Sequence, residues 1–464
     1  MERRKRGSRR TRRSPGLQFS LLCLASLALS GCATYSDRML DAQQDVEAGR
    51  YEEGIDRINK SAGLPGDGSL PATLNSESAL GLLNRATLEQ ALFRFDQSSQ
   101  DFQFADGELE YLDIANDTAG NIGRYFYSDS ATRYRSSPTE KLALNAFNMM
   151  NYLALNDLQG ARVESRRFTV MRRYLEEYAK GQPHAAFGSY LAGFVLERLG
   201  EYTGAMRYYD EALAVGNFPS LKQTVERLSR LTPYRGQAID KVLASPDASS
   251  HPGATGNPES MGELLVVVSI GRVPYKIPKR IPIGAAIGLA GSQISGDPAV
   301  LGYSAFKFVV YPGLTHPPSL YSGVGLRVDG QPAKPDLASR LGAEITNEYK
   351  RIEPSIIAAA LSRMIVRAAA AEGMRAAGNE SGSGLGWALA LVTEATLVGL
   401  DKPDTRSWVF LPNRVYVYRT RLPPGKHTVE VRLEGAGGGA AATHVSEVEI
   451  PAGKFAAVIL TAPR

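Results

Sequence analysis

The feature that most constrains the fold is a change of period near residue 245. From Asp41 to about Ala244 apolar residues recur at spacings of three and four, with Gly or Pro at the breaks, which is the pattern of amphipathic helices. Ser245 to Gly262, SPDASSHPGATGNPESMG, is rich in Ser, Pro and Gly and poor in apolar residues, the composition of a linker. Short apolar runs bounded by turns follow it. Two periods in one chain predict a multidomain protein: an all-α unit over residues 32–244, a linker over 245–262 and an α+β domain over 263–464.

In the second half, Glu263 to Gly271, ELLVVVSIG, reads as a buried strand, and FKFVVY from Phe306 to Tyr311 as another. Gly323 to Pro332 carries Asp329-Gly330, a short hairpin turn. Asp336 to Arg351 and Ser355 to Ala377 read as two helices, the second Ala-rich and suited to a core. Strand pattern returns at Trp408 to Pro412, Arg414 to Arg421, Lys426 to Glu434, His444 to Ile450 and Phe455 to Leu460. Strands from both ends of this half are expected to share a sheet around the two helices. Leu422-Pro423-Pro424-Gly425 resembles the Pro-Gly turn of small envelope β-sandwich modules, with Gly425 supplying the φ that its position needs. The end of the chain is therefore expected to be β-rich and sandwich-like.

The helical half contains a repeat. Ser189 to Pro219 places Gly193, Gly200, Tyr202, Ala205, Tyr209 and Ala212 at offsets that resemble a tetratricopeptide repeat, a helical hairpin of ~34 residues. Small residues there let two helices approach closely, and the aromatics fill the groove between hairpins. Weaker matches follow the same frame. Gly49 to Gly54 repeats the turn, closed by Pro65. Ala86, Phe95, Ser98, Phe102 and Ala105 fit another unit, with Phe93 where the turn glycine belongs, and Asn156 to Ala161 forms a degenerate turn before a long helix. Three or four irregular units predict a solenoid whose concave face holds peptides or partner helices. Arg162, Arg166, Arg167, Arg172 and Arg173 lie on one segment, either lining that face or solvated on the outer one.

The N-terminus predicts where the chain works. Eight Lys or Arg precede the apolar run Leu17 to Leu29, which is shorter than the about 20 residues a membrane span needs. Leu29-Ser30-Gly31-Cys32 resembles the bacterial lipoprotein signature, which implies cleavage between Gly31 and Cys32 and acylation of the Cys32 thiol. Residues 1–31 are then a signal peptide, and Ala33 in place of Asp resembles outer-membrane cargo. Acyl chains contribute ~0.8 kcal/mol per buried CH₂, so two or three of them hold a protein on a membrane. Removing residues 1–31 turns 53 basic and 48 acidic residues into 45 and 47, so the net charge falls from +5 to −2. The basic character belongs to the leader, and no nucleic-acid partner is expected. Cys23 leaves with it, which excludes an internal disulfide.

Chemistry is sparse. The five histidines, His184, His251, His316, His427 and His444, stand singly, so no metal site is readable. No Gly-x-Ser-x-Gly elbow or free mature cysteine offers an acyl-transfer nucleophile. Gly284, Gly288 and Gly291 are similar to a phosphate loop but lack the lysine, and read as a flexible or close-packed loop. Gly384 to Leu400 reads as a buried amphipathic helix; Glu394, Asp404 and Arg406, in or beside it, read as partly buried ion-pair members. Arg272, Lys276, Lys279 and Arg280 read as an exposed charged strand edge.

With Glu263 to Arg280, Asp404-Thr405-Arg406-Ser407-Trp408 and Leu411-Pro412 added to the lipobox and the repeats, most of the chain resembles a family of proteobacterial envelope lipoproteins. That resemblance implies kinship and no catalytic residues. The expected protein is a non-enzymatic, outer-membrane-anchored lipoprotein facing the periplasm, a scaffold in envelope or secretion machinery. A peptidoglycan-binding or cell-wall-modifying protein is the alternative. No cofactor, metal or small-molecule substrate is expected, and the expected partners are the membrane, through lipid, and an envelope protein.

Overall fold

The structure, a computed structural model, describes residues 33–108, 134, 136–178, 186–245, 260–303, 307–380, 402–435, 437 and 439–464. The signal segment 1–31, Cys32, most of the linker, and residues 384–400 with Glu394 lie outside them. Helices come first and sheets follow. The helices are α1 (Tyr35–Arg38), α2 (Leu40–Glu47), α3 (Tyr51–Ala62), α4 (Ser76–Ala91), α5 (Phe95–Glu108), α6 (Pro138–Ala154), α7 (Leu158–Tyr178), α8 (Ala186–Arg198), α9 (Tyr202–Val215), α10 (Lys222–Leu228) and α11 (Gln237–Ala244).

Four of the helix-to-helix turns repeat one geometry. Gly49, Phe93, Asn156 and Gly200 all take the left-handed conformation, with φ of +82°, +62°, +57° and +78°. Each donates its N–H three residues back, to Val46, Gln90, Leu153 and Glu197, at 2.9 to 3.2 Å. The next N–H reaches five back, from Arg50 to Asp45, Arg94 to Glu89, Asp157 to Tyr152 and Glu201 to Leu196, at 2.8 to 2.9 Å. This double bonding is the Schellman cap, which satisfies the last carbonyls of one helix while reversing the chain into the next. The hairpins α2–α3, α4–α5, α6–α7 and α8–α9 are thus closed alike, although Phe and Asn replace Gly in two of them.

The C-terminal half begins with β1 (Gly262–Ile270), β2 (Tyr275–Pro282), α12 (Ile283–Ala290), β3 (Phe308–Thr315), β4 (Tyr321–Val328), β5 (Gln331–Ala333) and β6 (Asp336–Ser339). It continues with α13 (Leu341–Glu380), β7 (Arg414–Leu422), β8 (Gly425–Gly435), β9 (Ala440–Ile450) and β10 (Phe455–Ala462). The first sheet has the order β10-β1-β7-β6, with β10 parallel to β1; the second has the order β5-β4-β8-β9, and β2 and β3 form a separate ribbon. Strand β1 explains its own sequence. Leu265 and Val267 join the core shared with the helices, while Leu264, Val266, Val268 and Ile270 join the one facing Val429, Val431 and Leu433 of the second sheet. A strand covered on both faces has no polar side, so its apolar run is unbroken. The result is three layers: helices, first sheet, second sheet. The described cores run from Tyr35 to Ala462.

The turn Asp329-Gly330 adopts positive φ at both positions, which suits the tight β4–β5 hairpin. Gly425 (φ +139°) sits where the chain crosses from the first sheet to the second.

Four local expectations fail. Residues 336–339 form β6, and a single helix, α13, runs through Pro354 in place of two. Proline there removes one helix bond, but Tyr349, Ile356, Ile357 and Leu361 on either side enter one apolar core, which holds the helix continuous. The glycine-rich stretch forms helix α12, with Ala286 and Ala290 buried and Gly284 and Gly288 facing open space. Trp408 to Pro412 is not a strand; it threads between helices and bonds to their side chains. Arg272 is not on an exposed edge, being buried against Gln43 and Glu47 of α2; Lys276 and Lys279 are half-buried and Arg280 is exposed.

Candidate functional site

Charge is buried along the seam between the helices and the first sheet. Glu263 and Arg419 stand on adjacent antiparallel strands, two residues apart diagonally, so both point toward the helices. Arg419 Nε donates to Glu263 Oε1 at 2.5 Å, Nη1 to the Tyr209 hydroxyl at 2.7 Å and Nη2 to Glu197 Oε2 at 3.0 Å. Tyr209 in turn donates to Glu197 Oε2 at 2.6 Å. Glu197 lies in the last turn of α8, beside Arg198, whose Nη2 is 2.8 Å from Glu197 and 2.9 Å from Glu263; Arg227 of α10 also reaches Glu197. The Arg419 guanidinium further sits 5.1 Å from the centre of the Phe194 ring.

Burial alone would raise the Glu197 carboxyl, but Arg419, Arg198 and Arg227 outweigh it and hold its pKa at about 2. Desolvation would lower Arg419, yet Glu197 and Glu263 hold it well above the ordinary arginine value. Both charges are therefore fixed at neutral pH.

The seam opens into a cleft of about 810 Å³. Glu197, Arg198 and Tyr202 line it from the α8–α9 hairpin, and Glu449 at the end of β9, Lys454 in the following turn and Phe455 at the start of β10 line it from the other side. Glu449 and Lys454 are exposed, so the rim offers a carboxylate and an ammonium above an ionised floor. This arrangement suits binding of a polar chain. Proton transfer near neutrality is not available from Glu197.

A second buried network fastens residues 404–411 among the helices. Arg406 clasps Asp404 with Nε–Oδ1 at 2.8 Å and Nη2–Oδ2 at 2.9 Å. The Ser36 N–H donates to Thr405 Oγ1 at 3.1 Å. The Trp408 N–H donates to Glu140 Oε1 at 3.1 Å, its indole N–H to Thr87 Oγ1 at 2.9 Å, and the Phe410 N–H to Asn84 Oδ1 at 3.1 Å. The indole packs on Phe102 and Phe147, with centroids 5.6 and 6.3 Å away. An irregular segment of the chain itself, turning at Val409-Phe410, thus occupies the inner face of the helices.

The repeat residues gather in the α8–α9 hairpin. A Cβ on Gly193 would lie 2.6 Å from the Tyr209 ring, so glycine permits that contact. Ala205, Tyr209 and Ala212 are fully buried, Gly200 makes the turn, and Tyr202 borders the cleft. Arg162 pairs with Glu201, Arg167 with Asp106 and Glu164, and Arg172 with Glu176 and Glu211, so these arginines join neighbouring helices. His427 pairs with Asp329 at 2.7 Å, and His316 lies near Thr346. Among the described residues no group of three or more His, Cys, Asp and Glu side chains is placed to hold a metal ion, and no helix is long and apolar enough to cross a membrane.

Sequence reasoning missed Glu197, Glu263 and Arg419. Their signal was faint: a charge inside an otherwise inward-facing strand position, and Glu-Arg closing the apolar helix AFGSYLAGFVLER. No protein-family model matches the chain, and comparison with curated proteins finds no relative.

Proposed function

We propose that this chain is a lipoprotein tethered to the outer membrane through Cys32, and that its periplasmic body is a scaffold for another envelope or secretion protein. The observation that carries this reading is the cleft of about 810 Å³, to which the helical half contributes an ionised floor, Glu197 and Arg198, and the sheet half an exposed charged rim, Glu449 and Lys454. A fixed, mutually paired set of charges favours holding a polar polypeptide segment over proton-transfer chemistry. The four alike helix turns and the close Gly193–Tyr209 contact support a tetratricopeptide-like reading of the helical half. Its inner face is filled by residues 404–411 and the first sheet, so the partner engages at the cleft.

The test is a pull-down with Cys32 retained, repeated with the exposed rim reversed by Lys454→Glu and Glu449→Lys. Enrichment of defined envelope proteins that is lost in the rim variants supports the scaffold. Capture indifferent to the rim, or recovery of lipoprotein-processing factors alone, overturns it. Co-sedimentation with purified sacculi would point instead to glycan. The tether is tested separately, since Cys32→Ser should release the protein from the membrane fraction.

A further inference from the structure

Ribbon β2–β3, helix α12 and helix α13 build an arm on a core of its own. Its inner side is apolar and filled, with Val309, Tyr311, Ile357 and Leu361 packed together. The outer side is apolar and open. Leu289 on α12 is 55% exposed and Phe308 at the start of β3 is 57% exposed. Phe308 lies opposite Pro282 in the ribbon, and the Ile283 N–H donates to the Lys307 carbonyl at 3.2 Å, so α12 springs from beside Phe308. An eight-residue helix is ~12 Å long, which keeps Leu289 on the same tip.

The segment that forms this tip is mostly basic, while the acids of the arm sit on α13 behind it, where Glu353 accepts from the Tyr311 hydroxyl at 3.2 Å. From Arg272 to His316 the chain carries Arg272, Lys276, Lys279, Arg280 and Lys307 against one acid, Asp297. Arg272 is taken up by Glu47, and the Lys276 ammonium lies over the Tyr134 ring. Arg280 and Lys307, both exposed, flank Phe308 at the base of α12. Exposed apolar side chains flanked by cations gain affinity for an anionic bilayer twice, by inserting below the headgroups and by attraction to their phosphates. We propose that the tip of this arm, α12 with Phe308, Arg280 and Lys307, rests on an anionic phospholipid surface. The contact is independent of any acyl chain on Cys32. It sets the side of the body that faces the bilayer.

The test uses residues 33–464, which contain all the described core and no acylation site. Vesicles of phosphatidylglycerol and phosphatidylcholine are floated with this protein, and vesicles of phosphatidylcholine alone serve as the reference. Co-flotation with the anionic vesicles is expected, falling as salt rises. Arg280→Ala and Lys307→Ala should each weaken it about fivefold, and the double variant Leu289→Asp, Phe308→Asp should abolish it. All four positions are exposed, and an unchanged unfolding midpoint confirms that each variant folds. Absence of flotation, or flotation indifferent to these substitutions, overturns the proposal. Concentration-dependent dimerisation that the Asp variants remove would assign the tip to a second copy of the chain and overturn it equally. Neither result bears on the scaffold reading, which rests on the cleft.

Discussion

Arg419 of β7 reaches Glu197 of α8 with an Nη2–Oε2 distance of 3.0 Å, joining residues 222 positions apart across the seam. Replacing Arg419 with Met removes the cation and leaves two buried carboxylates, Glu197 and Glu263, without their main partner. The expected loss is about 3–5 kcal/mol, measured by urea unfolding. Adding Glu197→Gln should recover part of it; a double variant no better than Arg419→Met would show that the carboxylate is not the source of the cost.

The same pair makes stability sensitive to acid. Glu197 has its folded pKa held down at about 2 against an ordinary 4.5, so its contribution is fully present above pH 4.5 and is lost as pH falls toward 2. A shift of that size corresponds to about 3 kcal/mol. Unfolding curves at pH 7 and pH 3 should therefore differ more for the wild type than for Glu197→Gln, and equal differences would contradict the assignment.

His427 behaves oppositely. Burial lowers its pKa, but the hydrogen bonds to Asp329 and to the Pro423 carbonyl outweigh burial, and the net shift is upward from 6.5. Its contribution is present below pH 6.5 and is lost as pH rises through the folded value. Proton NMR should show His427 titrating above 6.5, with Asp329→Asn moving it back down.

Phe93 holds a left-handed conformation that side chains disfavour, at the turn position where Gly49 and Gly200 stand in other hairpins. Phe93→Gly should raise stability by about 0.5–1 kcal/mol, whereas Phe93→Val should lower it, because a β-branched side chain fits that conformation worst. Thermal unfolding distinguishes the two.

Trp408 fixes residues 404–411 among the helices through its ring and two hydrogen bonds. Trp408→Ala should cost about 3–5 kcal/mol in denaturant unfolding. A cost below about 1 kcal/mol would show that the segment is held by its neighbours alone.

The order of helices followed by strands was readable from the sequence because each period reflects burial. The unbroken ELLVVVSIG run is legible as an interior strand for the same reason that Leu265 and Val266 enter different cores. Glycine marks the turns at Gly49 and Gly200, but at Phe93 only the frame betrays the turn, since the residue type argues against it. Pro354 misled because packing on both sides of it overrides the local penalty. Trp408 to Leu411 misled because an apolar run without a period is equally compatible with a strand and with a buried irregular segment. The seam charges were illegible for another reason. Glu197, Glu263 and Arg419 meet only once β1 and β7 pair and α8 lies across them, a matter of topology that spacing does not encode.

The place of β10 also governs how the chain must assemble. It lies parallel to β1 with Glu263 opposite Phe455 and Ile270 opposite Ala462, and Thr461 donates to Gln90 of α4 at 2.7 Å. The layer between the helices and the second sheet therefore waits for residues almost two hundred positions downstream of β1. Until they pair, one edge of ELLVVVSI is uncovered, which is the condition in which such runs pair with the wrong chain. A chain cut short before Phe455 would lose a neighbour of its most apolar strand and leave that edge of the first sheet open.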